Sequence, residues 1–358
     1  MTDDIRFILE SAIRAPSGDN TQTWRFVVRD LVIEVWDCAP HDVEYRLLSN
    51  GRAGWVALGA VIENACIAAS LRGYLAHVSY APHPPQERLI ATLELTKDAS
   101  VAPDPLAGAI PDRATNRRPY RRDPLSATER ATLLASTGNT EGTSTLHLVE
   151  KREDIESLAR LVSLHDELIF SNQWLHRLLF SRVTWTRRED KRTRTGLYFP
   201  TLETPPFTWA AMQLLRHWWL TKLGSYIGLH KFIALEQRGV YRHASAYGLV
   251  LVRGEREQDW LEAGRAVERI WLTATGAGLA LQPHTAMIYL PRAIESGLSD
   301  AYLNAHERER IIEAYDAIQR IFGVEEGTPA FLFRIGHGRP PSARSSRLLF
   351  ESVVTVET

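Results

Sequence analysis

Cysteine is scarce in this chain of 358 residues, which contains only Cys38 and Cys66. Two cysteines cannot form a disulfide framework, and their separation matches no zinc-site spacing, so the sequence favours a reducing, cytoplasmic setting. An excess of charge of one sign is also lacking, because 42 Lys and Arg residues stand against 43 Asp and Glu. This balance provides no overall attraction to nucleic acid or to an anionic membrane, and we expect neither as a partner.

Long apolar runs and common catalytic motifs are absent as well. No apolar run reaches 18 residues, which argues against a membrane-spanning helix, and the acidic start Thr2-Asp3-Asp4 is unlike a signal peptide. The sequence contains no GxSxG, HExxH, CxxC or P-loop motif, so it predicts no catalytic side chain and no metal site. Gly276-Ala277-Gly278 begins like a dinucleotide fingerprint, but the third glycine is missing and the segment ends a helix.

Two internal repeats are present. Residues 59–73 and 264–278 each begin and end with glycine, at an offset of 205, and both carry apolar residues at helical spacing. At an offset of 120, a helix–turn–strand corner also recurs. In that second pattern, Ala15, Gly18, Thr23, Phe26 and Val28 align with Ala135, Gly138, Thr143, Leu146 and Leu148.

The two offsets differ by 85 residues, so the second copy contains an insertion of that size. We predict a first half over residues 1–108 and a second half over 109–358, with the insertion at about 165–240. This part of the chain is rich in tryptophan and arginine, and we interpret it as a helical lid or arm.

The most informative segment is the turn between a helix that ends at Pro16 and an alternating strand that begins at Trp24. It presents a hydroxyl, free backbone N–H groups and amide side chains from Ser17, Gly18, Asn20 and Gln22. Taken alone, it is also compatible with an ordinary helix–loop–strand corner. The segment resembles the APSSxNxQPW signature of the nitroreductase flavoprotein family, in which the matching serine and asparagine line the FMN ring. Gly18 replaces the second serine of the signature, and Thr23 replaces its proline.

A second motif, Arg113-Ala114-Thr115-Asn116-Arg117, precedes a helix with the capping box Ser126-Ala127-Thr128-Glu129. It resembles the RxSxR element that opens nitroreductases, although a solvated basic turn is the alternative. The resemblance implies that Arg113 contacts the FMN phosphate and that Thr115 and Arg117 face the ribityl chain and the pyrimidine edge, with Asn116 among them. Arginine suits a phosphate because its planar fork gives two charge-assisted bonds.

The C-terminal region resembles the closing pattern of the same family, a strand followed by a basic cluster. By this resemblance Arg344 and Arg347 complete the phosphate site. Residues 278–285 resemble the glycine–leucine and proline stretch beside the flavin ring, which implicates Gln282, Pro283 and His284. The Glu-Gly that follows the proline in the family is absent.

These motifs divide unequally between the two halves, since the first half has the turn and the second has the arginines. The chain therefore resembles the large Acg-type subgroup of nitroreductase-like proteins, in which a lid covers the flavin. The resemblance implies an α+β fold of two tandem halves, each with a mostly antiparallel sheet flanked by helices. The two halves form an intramolecular pseudo-dimer that needs no second chain, so a monomer is possible, with one composite FMN site.

The function implied is that of an FMN-dependent oxidoreductase. NAD(P)H reduces the flavin, and a nitroaromatic, a quinone or a similar electron-poor acceptor removes the electrons by a ping-pong reaction through N5. The alternative is a protein that stores or sequesters FMN with little turnover, because a lid over the ring excludes nicotinamide.

Overall fold

The structure is a computed structural model that describes residues 1–38, 51–81, 88–137, 144–205, 208–297 and 299–357. Gly138 and Thr143 of the predicted repeat lie outside the described residues. Helices and strands together form an α+β fold with two main sheets, as the sequence predicts.

The first half contributes two helices and four strands. They are α1 (Asp3–Ala12), β1 (Trp24–Arg29), β2 (Val32–Asp37), α2 (Arg52–Leu71), β3 (Tyr74–Tyr80) and β4 (Leu89–Lys97). Helix α1 begins where the Thr2 side chain accepts a hydrogen bond from the Ile5 N–H. Strand β1 buries Trp24, Phe26 and Val28 on one face, which is the alternation seen in the sequence.

The second half begins with a helix, α3 (Ala127–Ala135), which starts at the predicted capping box of Ser126 and Glu129. Strand β5 (Ser144–Val149) follows it. A series of shorter elements comes next: α4 (Arg152–Val162), α5 (Leu164–Ile169), α6 (Gln173–Arg182), β6 (Val183–Thr184), α7 (Arg187–Thr193), β7 (Leu197–Tyr198), α8 (Thr208–Leu215), α9 (Trp218–Tyr226) and α10 (Leu229–Tyr241). The remaining elements are β8 (Ala246–Val252), α11 (Glu257–Gly276), β9 (Leu279–Pro283), α12 (Ala286–Glu295), α13 (Ala305–Phe322), β10 (Thr328–His337), α14 (Phe350–Val353) and β11 (Val354–Val356).

The two main sheets have the same strand order. In the first, β11 pairs with β1 and the order continues β1-β2-β4-β3, whereas the second has β5-β8-β10-β9. All pairs in both sheets are antiparallel except that β11 runs parallel to β1. The end of the chain thus returns to complete the sheet of the first half.

The repeat offsets correspond to matching elements in space. Strands β1 and β5 have bounds that differ by 120 residues at both ends, and α2 and α11 differ by 205. Both helices are followed by a glycine with positive φ, +67° at Gly73 and +72° at Gly278. The predicted arrangement of two tandem halves is therefore confirmed by topology, while the exact boundary at residue 108 stays a prediction.

The halves differ mainly in two connections. The turn Asp30-Leu31 joins β1 to β2, whereas residues 150–245 and helices α4 to α10 lie between β5 and β8. A second extra segment, residues 284–327 with α12 and α13, lies between β9 and β10 and was not anticipated from the sequence.

Helices α2 and α11 pack against each other at the junction of the two halves. By length and composition α2 could cross a membrane, but 72% of its apolar window is buried inside the fold. Its apolar surface is covered by α1, by α11 and by the first sheet. These contacts identify α2 as a core helix.

Candidate functional site

The turn between α1 and β1 has an unusual backbone. Asp19, Asn20 and Gln22 all adopt positive φ, at 47°, 56° and 52°. Non-glycine residues seldom occupy this region, so the surrounding structure must hold the turn in place. Part of that support is local, because the Ser17 hydroxyl accepts a hydrogen bond of 3.0 Å from the Gln22 N–H.

Two arginines that are far apart in the sequence meet beside this turn. Arg113 and Arg347 both donate to the backbone carbonyl of Arg14, at 2.6 and 3.2 Å. Arg347 also donates to the Asn20 side-chain oxygen. The structure therefore brings together three segments that the sequence separates, namely the turn, the RxTxR motif and the C-terminal basic cluster.

A buried carboxylate, Glu268 of α11, lies beside these cations. Its Oε1 is 3.3 Å from Arg113 Nε, and the side chain is fully buried. Burial raises the pKa of Glu268 to about 7, against the opposing effect of Arg113. Burial, together with the charge of Arg113, lowers the pKa of Arg347 to about 9. We call Arg14, Arg113, Arg344 and Arg347 the arginine cluster; its excess positive charge and its fork-shaped donors suit a phosphate-type anion.

A segment of the long connection covers the turn. We define the lid segment as residues 187–203, which comprise α7, β7 and the 3-10 turn Phe199–Leu202. The Asn20 amide donates to the carbonyls of Gly196 and Ser346 at 3.2 and 3.0 Å, and the Gln22 amide donates to the Arg194 carbonyl at 2.7 Å. The lid segment thus takes up the amide donors that the sequence assigns to a ligand.

The lid segment is also fastened to the C-terminal basic cluster. The buried Asp190 carboxylate accepts hydrogen bonds from the Ser346 N–H and hydroxyl, at 3.0 and 2.6 Å. Arg194 donates to the Arg347 carbonyl at 3.0 Å. These bonds hold the lid segment over both sides of the candidate site.

Charged and aromatic side chains lie together beside the turn, and we use the term recess for the region that Asp19, Arg117 and His284 border. Asp19, Arg117 and His284 are partly buried, and burial shifts the pKa of each away from its charged form. Burial raises the pKa of Asp19 although Arg117 and Arg182 oppose the shift. The His284 ring meets the Tyr241 ring edge to face at 4.5 Å between centroids, and its Nε2 has no hydrogen-bond partner within the described structure.

An acid next to this recess is also perturbed. The Tyr241 hydroxyl donates to Asp166 Oδ1 at 3.3 Å. Burial raises the pKa of Asp166 to about 7. Burial also lowers the pKa of His165 to about 4. Asp166, which contacts the tyrosine that packs on His284, is therefore an acid with a pKa near neutrality.

Several predicted site residues have protein partners instead of facing an open space. The Asn116 amide donates to the Arg339 carbonyl at 2.8 Å, and Gln282 Oε1 accepts from Arg334 Nε at 2.8 Å. Thr115 forms a bridge with Leu281, which brings the RxTxR motif against strand β9 and hence close to Pro283. Arg344 donates to the carbonyls of Pro111 and Asp112, and Gly18 is exposed.

The sequence analysis did not identify some residues that shape the site. Arg14, Asp19 and Glu268 contribute charge there, and Arg334 is fully buried with its guanidinium 4.0 Å from the Tyr120 ring. Arg14 and Asp19 adjoin the motif in sequence and could have been included. Nothing local distinguishes Glu268 from the other acids of α11.

No family model matches the chain. Over 345 residues it is 26% identical to a Mycobacterium tuberculosis protein named "Uncharacterized protein MT1398", covering 95% of this chain and 46% of that protein. Over 136 residues it is 33% identical to "Putative NAD(P)H nitroreductase Rv3131" of the same species, covering 37% of this chain and 38% of the relative. Over 125 residues it is 29% identical to "Putative NAD(P)H nitroreductase acg", also of M. tuberculosis, covering 34% and 38%. The matches thus span less than half the length of these curated relatives.

Two solved structures also align with the chain. They are a nitroreductase with bound FMN from Bacteroides fragilis and the FMN-dependent nitroreductase NfnB from Mycobacterium smegmatis in complex with NADPH. The first covers 71% of this chain and 100% of its own at 12% identity, the second covers 67% and 96% at 14%, and both have a TM-score of 0.37. By sequence, the chain is thus similar, over about a third of its length, to proteins named putative NAD(P)H nitroreductases.

Proposed function

We propose that this chain binds one FMN at the composite site and acts as an NAD(P)H-dependent flavin oxidoreductase. The observation that carries the proposal is the convergence of Asn20, Arg113 and Arg347 from three distant segments. Relatives named as NAD(P)H nitroreductases support the same reading. The halves at 1–108 and 109–358 would then supply the turn and the phosphate ligands respectively, within a single chain.

The donor set of the arginine cluster matches a phosphate. Four arginines lie around one buried carboxylate, and the buried Nε of Arg113 lies 3.3 Å from Glu268 Oε1. The other three guanidinium charges are not balanced by that carboxylate, so a second anion at this position would be stabilising. We assign the phosphate to Arg113 and Arg347, with Arg14 and Arg344 adding positive potential.

The recess next to the cluster is the place for the ring. When bound, FMN supplies hydride transfer, so this chain need contribute no nucleophile. Arg117 offers a cation at the edge of the recess, and Pro283 and His284 form the wall contributed by β9 and the residue after it. Ser17, Asn20 and Gln22 would border the ring from the turn. The substrates we propose are NAD(P)H and an electron-poor acceptor such as a nitroaromatic or a quinone, used in turn.

One observation favours the alternative function, FMN storage or sequestration. The lid segment bonds to both Asn20 and Gln22 and is anchored through Asp190, so it covers the turn that we assign to the flavin ring. A lid that stays closed would hold the flavin and exclude the donor. The two functions share one site and differ only in whether the lid opens.

Anaerobic titration of the purified yellow protein with NADH and NADPH distinguishes the two. Loss of the visible flavin absorbance, restored by a quinone or nitroaromatic, supports the oxidoreductase. Bound flavin that is reduced by dithionite but not by either nicotinamide supports storage. A protein that binds no flavin after incubation with FMN contradicts both.

A further inference from the structure

The helical arm formed by α8, α9 and α10 turns its apolar side chains outward. On α9 the exposed positions are Trp219, Lys222, Leu223 and Tyr226, which share one helical face. The opposite face carries Thr221 and Ser225, which bond to the Leu215 and Phe170 carbonyls at 2.6 and 2.7 Å. This helix is therefore amphipathic in the reverse sense, with its polar face against the protein.

The same pattern continues across the turn into α10. Phe232 and Leu235 are exposed there, while Ala234 is buried. The last residue of α9 and the residue after it, Tyr226 and Ile227, are the most exposed large apolar residues of the described chain, with 78% and 89% of their surface accessible. A contiguous exposed apolar surface of this kind marks an interaction site.

The charges on the arm itself are mostly positive, although Glu167 and Glu313 of neighbouring helices lie beside Lys231. Residues 208–241 contain Arg216, Lys222, Lys231 and Arg238 but a single acid, Glu236. Neither Lys222 nor Lys231 has an ion-pair partner within the residues that the structure describes. The balanced charge of the whole chain conceals this local excess.

We propose that the tip of this arm docks on an anionic lipid surface. Lys222 lies five residues before Ile227 and Lys231 four residues after it, so each lysine is set back roughly 6–8 Å along its helix at 1.5 Å per residue. Apolar groups at an interface enter to a depth of about 5–10 Å, which would leave the two lysines level with the phosphates. Their apolar stems permit this arrangement.

A second copy of the chain is the competing occupant of the same surface. A two-fold interface would bring the patch against itself, and therefore Lys222 and Lys231 against their own equivalents. Like charges that meet at an interface oppose association. An anionic surface has the complementary charge, so the charge distribution favours lipid. This inference does not depend on the proposed flavin chemistry.

The test is cosedimentation of the full chain with phosphatidylglycerol-containing vesicles and with pure phosphatidylcholine vesicles, at low and high salt. We expect binding to the anionic vesicles only, weakened by salt. The double variant Lys222→Gln/Lys231→Gln should partition about 30-fold less, because each basic residue near the surface contributes roughly fivefold. Ile227→Ser should weaken binding by about tenfold or more.

Matched controls are Lys151→Gln and Leu75→Ser, which change an exposed lysine and an exposed leucine elsewhere and should bind as the parent does. Absence of binding, equal binding to neutral vesicles, or equal losses in the controls would overturn the proposal. So would a stable dimer in light scattering that Ile227→Ser dissociates, since the surface would then belong to a second copy. Circular dichroism verifies that each variant is folded.

Discussion

Gly59 and Gly264 make equivalent contacts with each other's helices. A Cβ added at Gly59 would lie 1.9 Å from the Leu261 carbonyl oxygen, and one at Gly264 would lie 2.1 Å from the Val56 carbonyl oxygen. The offset of 205 that relates the two glycines also relates Val56 to Leu261. The packing of α2 on α11 is therefore a two-fold contact within one chain, of the kind that joins the subunits of a symmetric dimer.

Because of this close contact, we predict that glycine-to-alanine substitutions in the two helices differ sharply in their effect on stability. Gly59→Ala or Gly264→Ala must push the helices apart, at a cost of about 1–3 kcal/mol in the free energy of unfolding. Gly54→Ala and Gly276→Ala, in the same two helices, meet no atom within 4 Å and should be neutral or slightly stabilising. Denaturant unfolding of the four variants measures this. Equal midpoints for all four would mean that the helices do not pack closely.

The phosphate assignment predicts which ligand is affected when an arginine is lost. Arg347→Ala should weaken FMN binding about 10- to 150-fold, because a bond to a charged group contributes roughly 1.5–3 kcal/mol. Riboflavin, which lacks the phosphate, should bind nearly as before. Arg122→Ala, which removes an exposed guanidinium paired with Glu156, serves as the control. If riboflavin and FMN lose affinity equally, Arg347 has only a structural role.

We predict that FMN affinity depends on pH through the ionisation of Glu268. The carboxyl has a pKa of about 7, so it is neutral in acid and repels a phosphate once it ionises at higher pH. Glu268→Gln should match the parent near pH 6 and bind FMN more tightly, by up to about tenfold, near pH 8. Comparing the two proteins at each pH cancels the ionisation of the phosphate itself. A variant that is weaker at both pH values would contradict this role.

We predict that displacing the lid segment gives nicotinamide access to the bound flavin. Gly196 has φ +86°, and a Cβ there would lie 2.3 Å from the Arg182 carbonyl oxygen. Gly196→Ala should therefore loosen the segment and accelerate flavin reduction by NADPH, by up to about tenfold. Gly239→Ala, in α10 with no atom within 4 Å, is the control. Faster tryptic cleavage at the lid arginines verifies opening; opening without faster reduction would show that the lid does not limit access.

Much of the architecture could be anticipated because duplication leaves periodic marks. The offsets of 120 and 205 predicted the equivalence of β1 with β5 and of α2 with α11. The segment at 284–327 carries no such mark, since it has no counterpart with which to align. The parallel pairing of β11 with β1 joins opposite ends of the chain, and local pattern does not reveal it.

The candidate site was likewise only partly predictable from the sequence. Asn20, Arg113 and Arg347 belong to recognisable motifs, and they meet in space around the Arg14 carbonyl and the turn. Glu268 enters only because α11 passes beneath the arginine cluster, which is a property of the tertiary packing. The hydrogen bonds of the lid segment likewise join residues more than 150 apart in sequence.

The stoichiometry and identity of the bound flavin test the central claim most directly. The protein, incubated with FMN and freed of excess, is denatured, and the released flavin is identified by chromatography and quantified against protein concentration. We predict FMN at one molecule per chain, because only the first half retains the motif of the turn and only the second retains Arg113 and Arg347. Two flavins per chain, FAD in place of FMN, or no flavin would contradict a single composite site.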